Sequence, residues 1–186
     1  MKMIWLFIVA SLLGGTPEML VEEPVVTGYI IVGDSRTVGM DMAVDIASVD
    51  ANIFVVAKVS KGYHWLVNTA MDEIETIKEE NPEIESWVIV SNLGVNDLYN
   101  REKYVTFYES LEDDFVFVSV NPVKGRSNVS NSTIDAFNER MREEFTCIDT
   151  NTMLQLRGYS APDGLHYSPD TYRLIFSFIV HELGVA

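Results

Sequence analysis

Cysteine and histidine are scarce in this sequence. Its 186 residues include one cysteine, Cys147, and three histidines. A single thiol cannot form an internal disulfide, and neither it nor the histidines stand at the spacing of metal ligands. We therefore expect no metal and no other cofactor, and we expect Cys147 to be a small apolar residue of a strand.

Positive charge is scarce as well. The chain has 13 lysine and arginine residues against 28 aspartate and glutamate residues, which gives a formal net charge of -15. A chain this acidic repels the phosphate backbone of DNA and RNA. The composition therefore argues against a nucleic-acid partner.

Long apolar runs are missing except near the N-terminus. There Lys2 precedes an uncharged apolar run from Met3 to Leu13, which is shorter than the roughly 20 residues of a membrane-spanning helix. This pattern is typical of a secretory leader, so we predict a leader over residues 1–22 and a secreted or cell-surface protein. No Ala-x-Ala cleavage site follows the run, which leaves open a leader that stays attached to the membrane, or a cytoplasmic protein. No cysteine follows it either, which excludes a lipoprotein anchor.

Residues 23–186 are predicted to form a single domain of alternating strands and helices. Apolar runs typical of strands buried on both faces occur at 28–32, 52–57, 86–90, 115–120 and, more weakly, 145–149. Helical spacing of apolar residues lies between these runs and after the last of them. Ser168 followed by Pro169 predicts the start of the last helix, and Ser132 with Asp135 predicts another start. The alternation predicts an α/β fold, a three-layer α/β/α sandwich.

Polar residues follow several of the predicted strands. Ser35 lies in GDSRTVG after the first strand, Gly62 follows the second, and Asn96 lies in NLGVNDL after the third. Asp163 and His166 lie in APDGLHYSP just before the last helix. Ligands of such sheets bind at the carboxyl ends of the strands, so these segments can converge although they are far apart in the sequence.

The GDSR, GVND and DGLH segments together resemble the SGNH hydrolase (GDSL esterase/lipase) superfamily over Tyr29 to Leu183. The resemblance implies a flavodoxin-like sandwich with a parallel sheet of about five strands, and ester hydrolysis through an acyl-enzyme. It implies that the backbone N–H groups of Ser35 and Gly62 and the amide of Asn96 form the oxyanion hole. Gly62 is assigned only from its place after the second strand.

The residue types fit this chemistry. A serine hydroxyl is a weak nucleophile until a neighbouring base takes its proton. His166 can be that base near neutral pH, and Asp163, three residues earlier, can hold its Nδ1 proton. Gly164 between them permits a tight loop. Ser35, His166 and Asp163 are therefore the candidate catalytic residues.

The residues around the motifs have more than one interpretation. Arg36 stands where the family has leucine, and either forms a surface ion pair or reaches the cleft and favours a negatively charged substrate. Tyr63, Trp65 and Tyr167 either bind a sugar ring or pack in the core. His64 is a weak second candidate for the base.

Two acidic residues beside the motifs, Asp34 and Asp97, are predicted to brace their loops.

Taken together, these observations predict a serine esterase for short acyl esters, acetyl esters above all. The expected substrate is a small-molecule ester or an ester on a carbohydrate or cell-envelope polymer. An O-acyltransferase using the same residues and a non-catalytic module that binds an anion or a carbohydrate are the alternatives.

Overall fold

A computed structural model describes residues 25–125 and 129–185. The predicted leader, residues 1–22, lies outside these residues. Five parallel strands form one sheet: β1 (Thr27–Gly33), β2 (Ile53–Ala57), β3 (Ser86–Asn92), β4 (Asp114–Val118) and β5 (Cys147–Ile148). Their order is β2-β1-β3-β4-β5, the flavodoxin-like order.

Helices follow the strands along the chain. They are α1 (Ser35–Val44), α2 (Tyr63–Trp65), α3 (Met71–Glu80), α4 (Arg101–Tyr108), α5 (Asn131–Glu144), α6 (Thr150–Arg157) and α7 (Pro169–Leu183). A π-helical segment, Leu66–Ala70, joins α2 to α3, and short 3₁₀ turns cover Ile46–Ser48 and Leu98–Asn100. Within the described residues, no helix combines the length and the apolar character that crossing a bilayer requires.

The two faces of the sheet belong to two separate hydrophobic cores. Ile30 and Val32 of β1 pack in a core with Ile74, Tyr104 and Ile134, and so with α3, α4 and α5. The intervening β1 residue, Ile31, packs on the opposite face in a core with residues of α1, α6 and α7. Successive strand side chains point to opposite faces, so a strand covered on both sides is apolar at every position. The three-layer α/β/α sandwich is confirmed.

The sequence predicted all five strands, but it missed details of the helices. β5 contains only two residues, and the half-buried Cys147 is the first of them. Helix α5 begins at Asn131 because Ser130, not Ser132, accepts a hydrogen bond from the Thr133 backbone N–H as its N-cap. Helix α7 begins at Pro169 with Ser168 as its N-cap, as predicted. Helix α6 was not predicted.

The sheet register brings three loops to one edge. Gly33 at the end of β1 pairs with Ala57 at the end of β2 and with Asn92 at the end of β3. The segments that follow these strands therefore leave the sheet at the same height. Since β1 continues to β2 on one side and the chain then crosses to β3 on the other, this is the point where strand order reverses and where such folds bind ligands.

Candidate active site

Ser35 lies at the corner between β1 and α1. The strand ends at Gly33, and Asp34 caps the helix because its Oδ1 accepts the Arg36 backbone N–H at 2.9 Å. Asp34 therefore fixes the turn, as the sequence predicted. Ser35 is the first residue of α1 and is half-buried. Its N–H belongs to the first turn, where helical N–H groups lack an intrahelical acceptor and carry the positive end of the helix dipole.

The structure brings Ser35, His166 and Asp163 into one chain of hydrogen bonds. The Nε2 atom of His166 lies 3.0 Å from the Ser35 Oγ, and its Nδ1 lies 2.7 Å from Asp163 Oδ2. One nitrogen of the imidazole thus faces the hydroxyl while a carboxylate holds the other, which is the arrangement of a serine nucleophile with its base.

The loop that carries His166 is held by the Asp163 carboxylate. Asp163 Oδ1 accepts the backbone N–H of Leu165 at 2.8 Å and that of His166 at 2.7 Å. Gly164 has a φ of +81°, a left-handed conformation that glycine adopts without strain. The side-chain hydrogen bond from His166, followed by the two backbone N–H groups, holds the pKa of Asp163 well below its usual range. Asp163 is therefore ionised at neutral pH.

Arg36 lies neither on the surface nor in the cleft, so both expectations for it are wrong. Its side chain is 4% exposed. Its guanidinium donates to the backbone oxygens of Leu165 at 3.0 Å, Asn121 at 2.8 Å and Pro122 at 3.3 Å. It also lies 5.0 Å from the ring centre of Tyr167. Because a guanidinium carries five donors in a fixed plane, Arg36 ties α1 to the segment after β4 and to the loop of the catalytic candidates.

Tyr167 is also buried, so of its two interpretations packing in the core is correct, and its assignment as a substrate-binding residue is wrong. It is 5% exposed, and its hydroxyl donates to the Pro122 carbonyl. Its ring packs edge-on against Tyr159 and Tyr172. A residue next to a site residue in sequence can still point into the core, because the chain turns between them.

Asn96 lies between the loops after β1 and β2. Its Nδ2 donates to the Lys61 backbone oxygen at 2.8 Å and approaches Asp34 Oδ2 at 3.3 Å. The residue is exposed. These contacts place its amide beside the segment that contains Gly62 and beside the start of α1.

Asp97 braces the loop of Gly62, as the sequence predicted. Its Oδ2 accepts the Tyr63 backbone N–H at 2.8 Å, and its Oδ1 accepts the Tyr104 hydroxyl at 2.8 Å. A Cβ at position 62 would lie 2.5 Å from Asp97 Oδ2. Position 62 therefore needs glycine because the carboxylate passes too close to its backbone for a side chain.

The remaining aromatic candidates face different surroundings. Tyr63 is half-buried and packs edge-on against Tyr104, with ring centres 5.3 Å apart, and against Phe107, at 6.4 Å. Trp65 is buried but borders a second cavity together with the exposed His64. Within the described residues, the histidine that is hydrogen-bonded to Ser35 is His166, and no hydrogen bond joins His64 to Ser35.

A cleft of about 360 Å³ opens in front of the Ser35 hydroxyl. Its walls contain Ser60, Asn96 and His166 and four apolar side chains, those of Val59, Val95, Val129 and Leu165. The motifs do not predict this apolar wall. The sequence signal for this wall is limited to three apolar residues in or near the motif segments: Val59, Val95 within GVND and Leu165 within DGLH. Val59 is 57% exposed in the structure.

Burial changes the acidity of Asp34. Its carboxyl is 1% exposed, and burial raises its pKa to about 6. In the unfolded chain an aspartate titrates near pH 3.9. At pH values between these two pKa values, the folded protein keeps the Asp34 proton while the unfolded chain loses it. The free energy of unfolding therefore falls as the pH rises from the lower pKa to the higher one.

We expect Asp34→Asn to remove this dependence, because asparagine keeps an oxygen for the cap and has no charge at any pH. The unfolding free energy of the variant relative to wild type should rise by about 2 kcal/mol between pH 4 and pH 7. Urea unfolding of both proteins at the two pH values measures this difference. If the unfolding free energies of the variant and the wild type differ by the same amount at both pH values, the pKa of Asp34 is not raised in the folded protein.

Comparisons with known proteins agree with this architecture. No family model matches the chain, and no curated protein matches its sequence. Among solved structures, it is similar to the C-terminal catalytic domain of peptidoglycan O-acetyltransferase A from Streptococcus pneumoniae, solved with a methylsulfonyl adduct. The TM-score is 0.65 at 18% identity, over 88% of this chain and 96% of that one.

Two further structures have lower TM-scores. A protein assigned to the SGNH hydrolases from Slackia heliotrinireducens has a TM-score of 0.61 at 15% identity, over 86% of this chain and 100% of that one. A lipase from a goat rumen metagenome has a TM-score of 0.52 at 14% identity, over 84% and 96%. At these identities the likeness establishes the fold, which is that of the SGNH hydrolases.

Proposed function

We propose that this chain, with its SGNH-hydrolase fold, is a serine esterase that removes short acyl groups, acetyl above all, through an acyl-enzyme on Ser35. The observation that carries the proposal is the hydrogen-bonded series Ser35–His166–Asp163, with its 3.0 Å and 2.7 Å contacts. We infer that the substrate is an ester of a carbohydrate or of a cell-envelope polymer.

The first half of the proposed reaction forms the acyl-enzyme. The Ser35 Oγ attacks the ester carbonyl as His166 Nε2 takes its proton, and the carbonyl oxygen becomes an oxyanion. Asp163 holds the imidazolium through Nδ1. When the tetrahedral intermediate collapses, His166 gives its proton to the leaving alkoxide, and the alcohol departs.

In the second half, water replaces the alcohol. His166 removes a proton from water as its oxygen attacks the acyl carbon, and the second intermediate collapses with the Ser35 oxygen as leaving group. The proton returns from His166 to that oxygen, so the enzyme is regenerated and the acid is released.

We assign three donors to the oxyanion. The N–H groups of Ser35 and Gly62 belong to helix starts, and the Asn96 amide has two hydrogens. One of these hydrogens bonds the Lys61 carbonyl, while the other makes only the longer contact to Asp34 at 3.3 Å. An oxyanion can take over this second hydrogen. Each such donor is worth about 100- to 1000-fold in rate.

An acyl chain-length series tests the substrate size. We expect kcat/KM for p-nitrophenyl esters to be highest with acetate and to fall through butyrate and octanoate. The reason is that the segments bordering the cleft, residues 58–62 and 93–97, are short connections to the neighbouring helices. A kcat/KM that rises with chain length would overturn the short-acyl preference but not the esterase.

An O-acyltransferase is the second candidate, because the catalytic domain of an O-acetyltransferase has this fold at a TM-score of 0.65. The same acyl-enzyme would then give its acyl group to a sugar hydroxyl. Mass spectrometry of reactions with p-nitrophenyl acetate and an oligosaccharide separates the two. Acetylated oligosaccharide indicates transfer, and free acetate alone indicates hydrolysis.

We also propose that the protein acts outside the cytoplasm. The support is the leader-like pattern over residues 1–22, a basic residue followed by a short apolar run. Fractionation of cells that express the full chain tests this, with the protein expected in the medium or at the cell surface. Recovery from the cytoplasm alone would contradict it.

A further inference from the structure

The loop that carries the candidate base does not follow a strand. It covers residues 158–168, between α6 and α7, and the last strand, β5, ends before α6. The Asp163 carboxylate shapes this loop through the N–H groups of Leu165 and His166, but bonds within a loop do not fix where it lies. Ser35, in contrast, directly follows the end of β1. Contacts between the loop and the rest of the chain must therefore hold His166 beside the serine.

Arg36 makes one of these contacts. It is the residue after Ser35 in α1, and its Nε donates to the Leu165 backbone oxygen at 3.0 Å. Leu165 directly precedes His166, whose Nε2 lies 3.0 Å from the Ser35 Oγ. Two consecutive residues of α1 are thus bonded to two consecutive residues of the loop. Because neighbouring residues are only about 3.8 Å apart along the chain, a shift of the loop that breaks one of these bonds disturbs the other.

The guanidinium is also bonded to a third part of the chain, the segment after β4. One of its Nη atoms donates to the Asn121 carbonyl at 2.8 Å and the other to the Pro122 carbonyl at 3.3 Å. The loop bonds the same segment directly, because the Lys124 backbone N–H donates to the Gly164 carbonyl at 2.8 Å. A guanidinium is planar and its N–H groups point in fixed directions. Arg36 is therefore a rigid spacer between α1, this segment and the loop.

The surroundings of this guanidinium are unusual for a charged group. The side chain is buried, and within residues 25–125 and 129–185 no carboxylate oxygen lies within 4.0 Å of its nitrogens. Its donors meet carbonyl oxygens instead, and the Tyr167 ring centre lies 5.0 Å away. Burying a charge is unfavourable unless its hydrogen bonds are made. An apolar side chain would avoid that cost, but it would leave the Leu165 carbonyl without this donor.

We propose that Arg36 is a positioning residue, which holds the His166 imidazole within hydrogen-bond reach of Ser35 by bonding the Leu165 carbonyl. This inference rests on the proposed esterase and adds to it a residue that touches neither the substrate nor the reacting atoms. A misplacement of about 1 Å can lower a catalysed rate about 100-fold. The serine, the imidazole and the proposed oxyanion donors all remain when Arg36 is replaced, so the loss follows from their relative positions.

Replacing Arg36 with methionine tests this role, because methionine is long, adaptable and without a donor. We expect kcat for p-nitrophenyl acetate to fall about 100-fold while KM stays within about threefold of the wild type. On a His166→Ala background the same substitution should change kcat less than about twofold, because no imidazole remains to be positioned. A variant that only weakened the fold would lower kcat by the same factor on both backgrounds, and that result would overturn the inference.

Tyr108→Phe is the matched control for lost stability. It removes a buried hydrogen bond of 2.6 Å between the Tyr108 hydroxyl and Ser91 Oγ, in the core that contains α3, α4 and α5. This variant should have a lower melting temperature than the wild type and keep kcat within about twofold.

Arg36→Lys is the conservative variant, and it serves both backgrounds if Arg36→Met does not fold. Lysine keeps the positive charge but has no planar fork of donors, so we expect kcat about tenfold below that of the wild type. On the His166→Ala background this difference should disappear. Wild-type kcat in Arg36→Lys would show that the directed donors are not needed, and the positioning role would be wrong.

The outcomes separate this inference from the esterase proposal. If the wild type hydrolyses p-nitrophenyl acetate and Arg36→Met keeps the wild-type kcat, the positioning role is wrong and the esterase stands. If the wild type hydrolyses no p-nitrophenyl ester, the esterase proposal fails, and crystal structures of the wild type and the folded Arg36 variant decide the positioning role. The distance from His166 Nε2 to Ser35 Oγ must then be near 3.0 Å in the wild type and exceed about 3.5 Å in the variant. An unchanged distance would contradict the inference.

Discussion

Replacing Ser35 with alanine is expected to lower kcat for p-nitrophenyl acetate at least about 10,000-fold. Alanine has no oxygen to attack the carbonyl, so no acyl-enzyme forms. The proposed oxyanion donors remain, because the backbone N–H groups of residues 35 and 62 and the Asn96 amide do not depend on the Ser35 hydroxyl. Steady-state release of p-nitrophenol measures the loss.

The same variant tests covalent catalysis directly. Phenylmethylsulfonyl fluoride sulfonylates activated serines, so the intact mass of the wild type should increase by one adduct and that of Ser35→Ala should not. The control is Ser177→Ala, the same substitution on the exposed side of α7, which should keep both activity and adduct. A Ser35→Ala protein with near wild-type turnover would refute Ser35 as the nucleophile.

Replacing His166 with alanine is expected to lower kcat about 10,000-fold as well. Without the imidazole 3.0 Å from its Oγ, Ser35 keeps its proton, and the leaving alkoxide receives none. The cavity left by the ring opens onto the cleft, because the His166 side chain is 43% exposed. Added imidazole should therefore enter it and restore part of the activity in proportion to its concentration.

His181→Ala is the matched control for this experiment, since His181 lies exposed in the last turn of α7. It should retain wild-type kcat and show no response to imidazole. If His166→Ala kept more than a tenth of the wild-type activity, another group would be the base. His64, which also lies near the cleft, would then be the next residue to replace.

Much of the fold follows from local patterns in the sequence. Strand β1 is apolar at consecutive positions because both of its faces are covered, and this pattern distinguishes a parallel strand from one exposed on one side. Ser168 followed by Pro169 specifies the start of α7 through hydrogen bonding and a fixed φ. Helix α6, Thr150–Arg157, escaped prediction because its exposed Leu156 interrupts the apolar spacing.

The candidate site divides in the same way. The motifs indicated Ser35, Asn96, Asp163 and His166. A serine at a strand-to-helix corner, and a carboxylate three residues before a histidine, are patterns that can be recognised within a few residues of sequence. Arg36 could not be placed from its neighbours. Its buried guanidinium donates to backbone carbonyl oxygens, and one of these belongs to Leu165, which lies 129 positions away in the sequence.

The sequence by itself determined the alternation of strands and helices, the overall charge and the identity of the candidate catalytic residues. All of these depend on residue type and on spacing within a few positions. Only the tertiary structure decided which groups meet, that Tyr167 faces the core, and that Arg36 is buried against backbone carbonyl oxygens. The physical reason is that such contacts depend on how the loops turn after parallel strands of matched register, and no local period in the sequence records this.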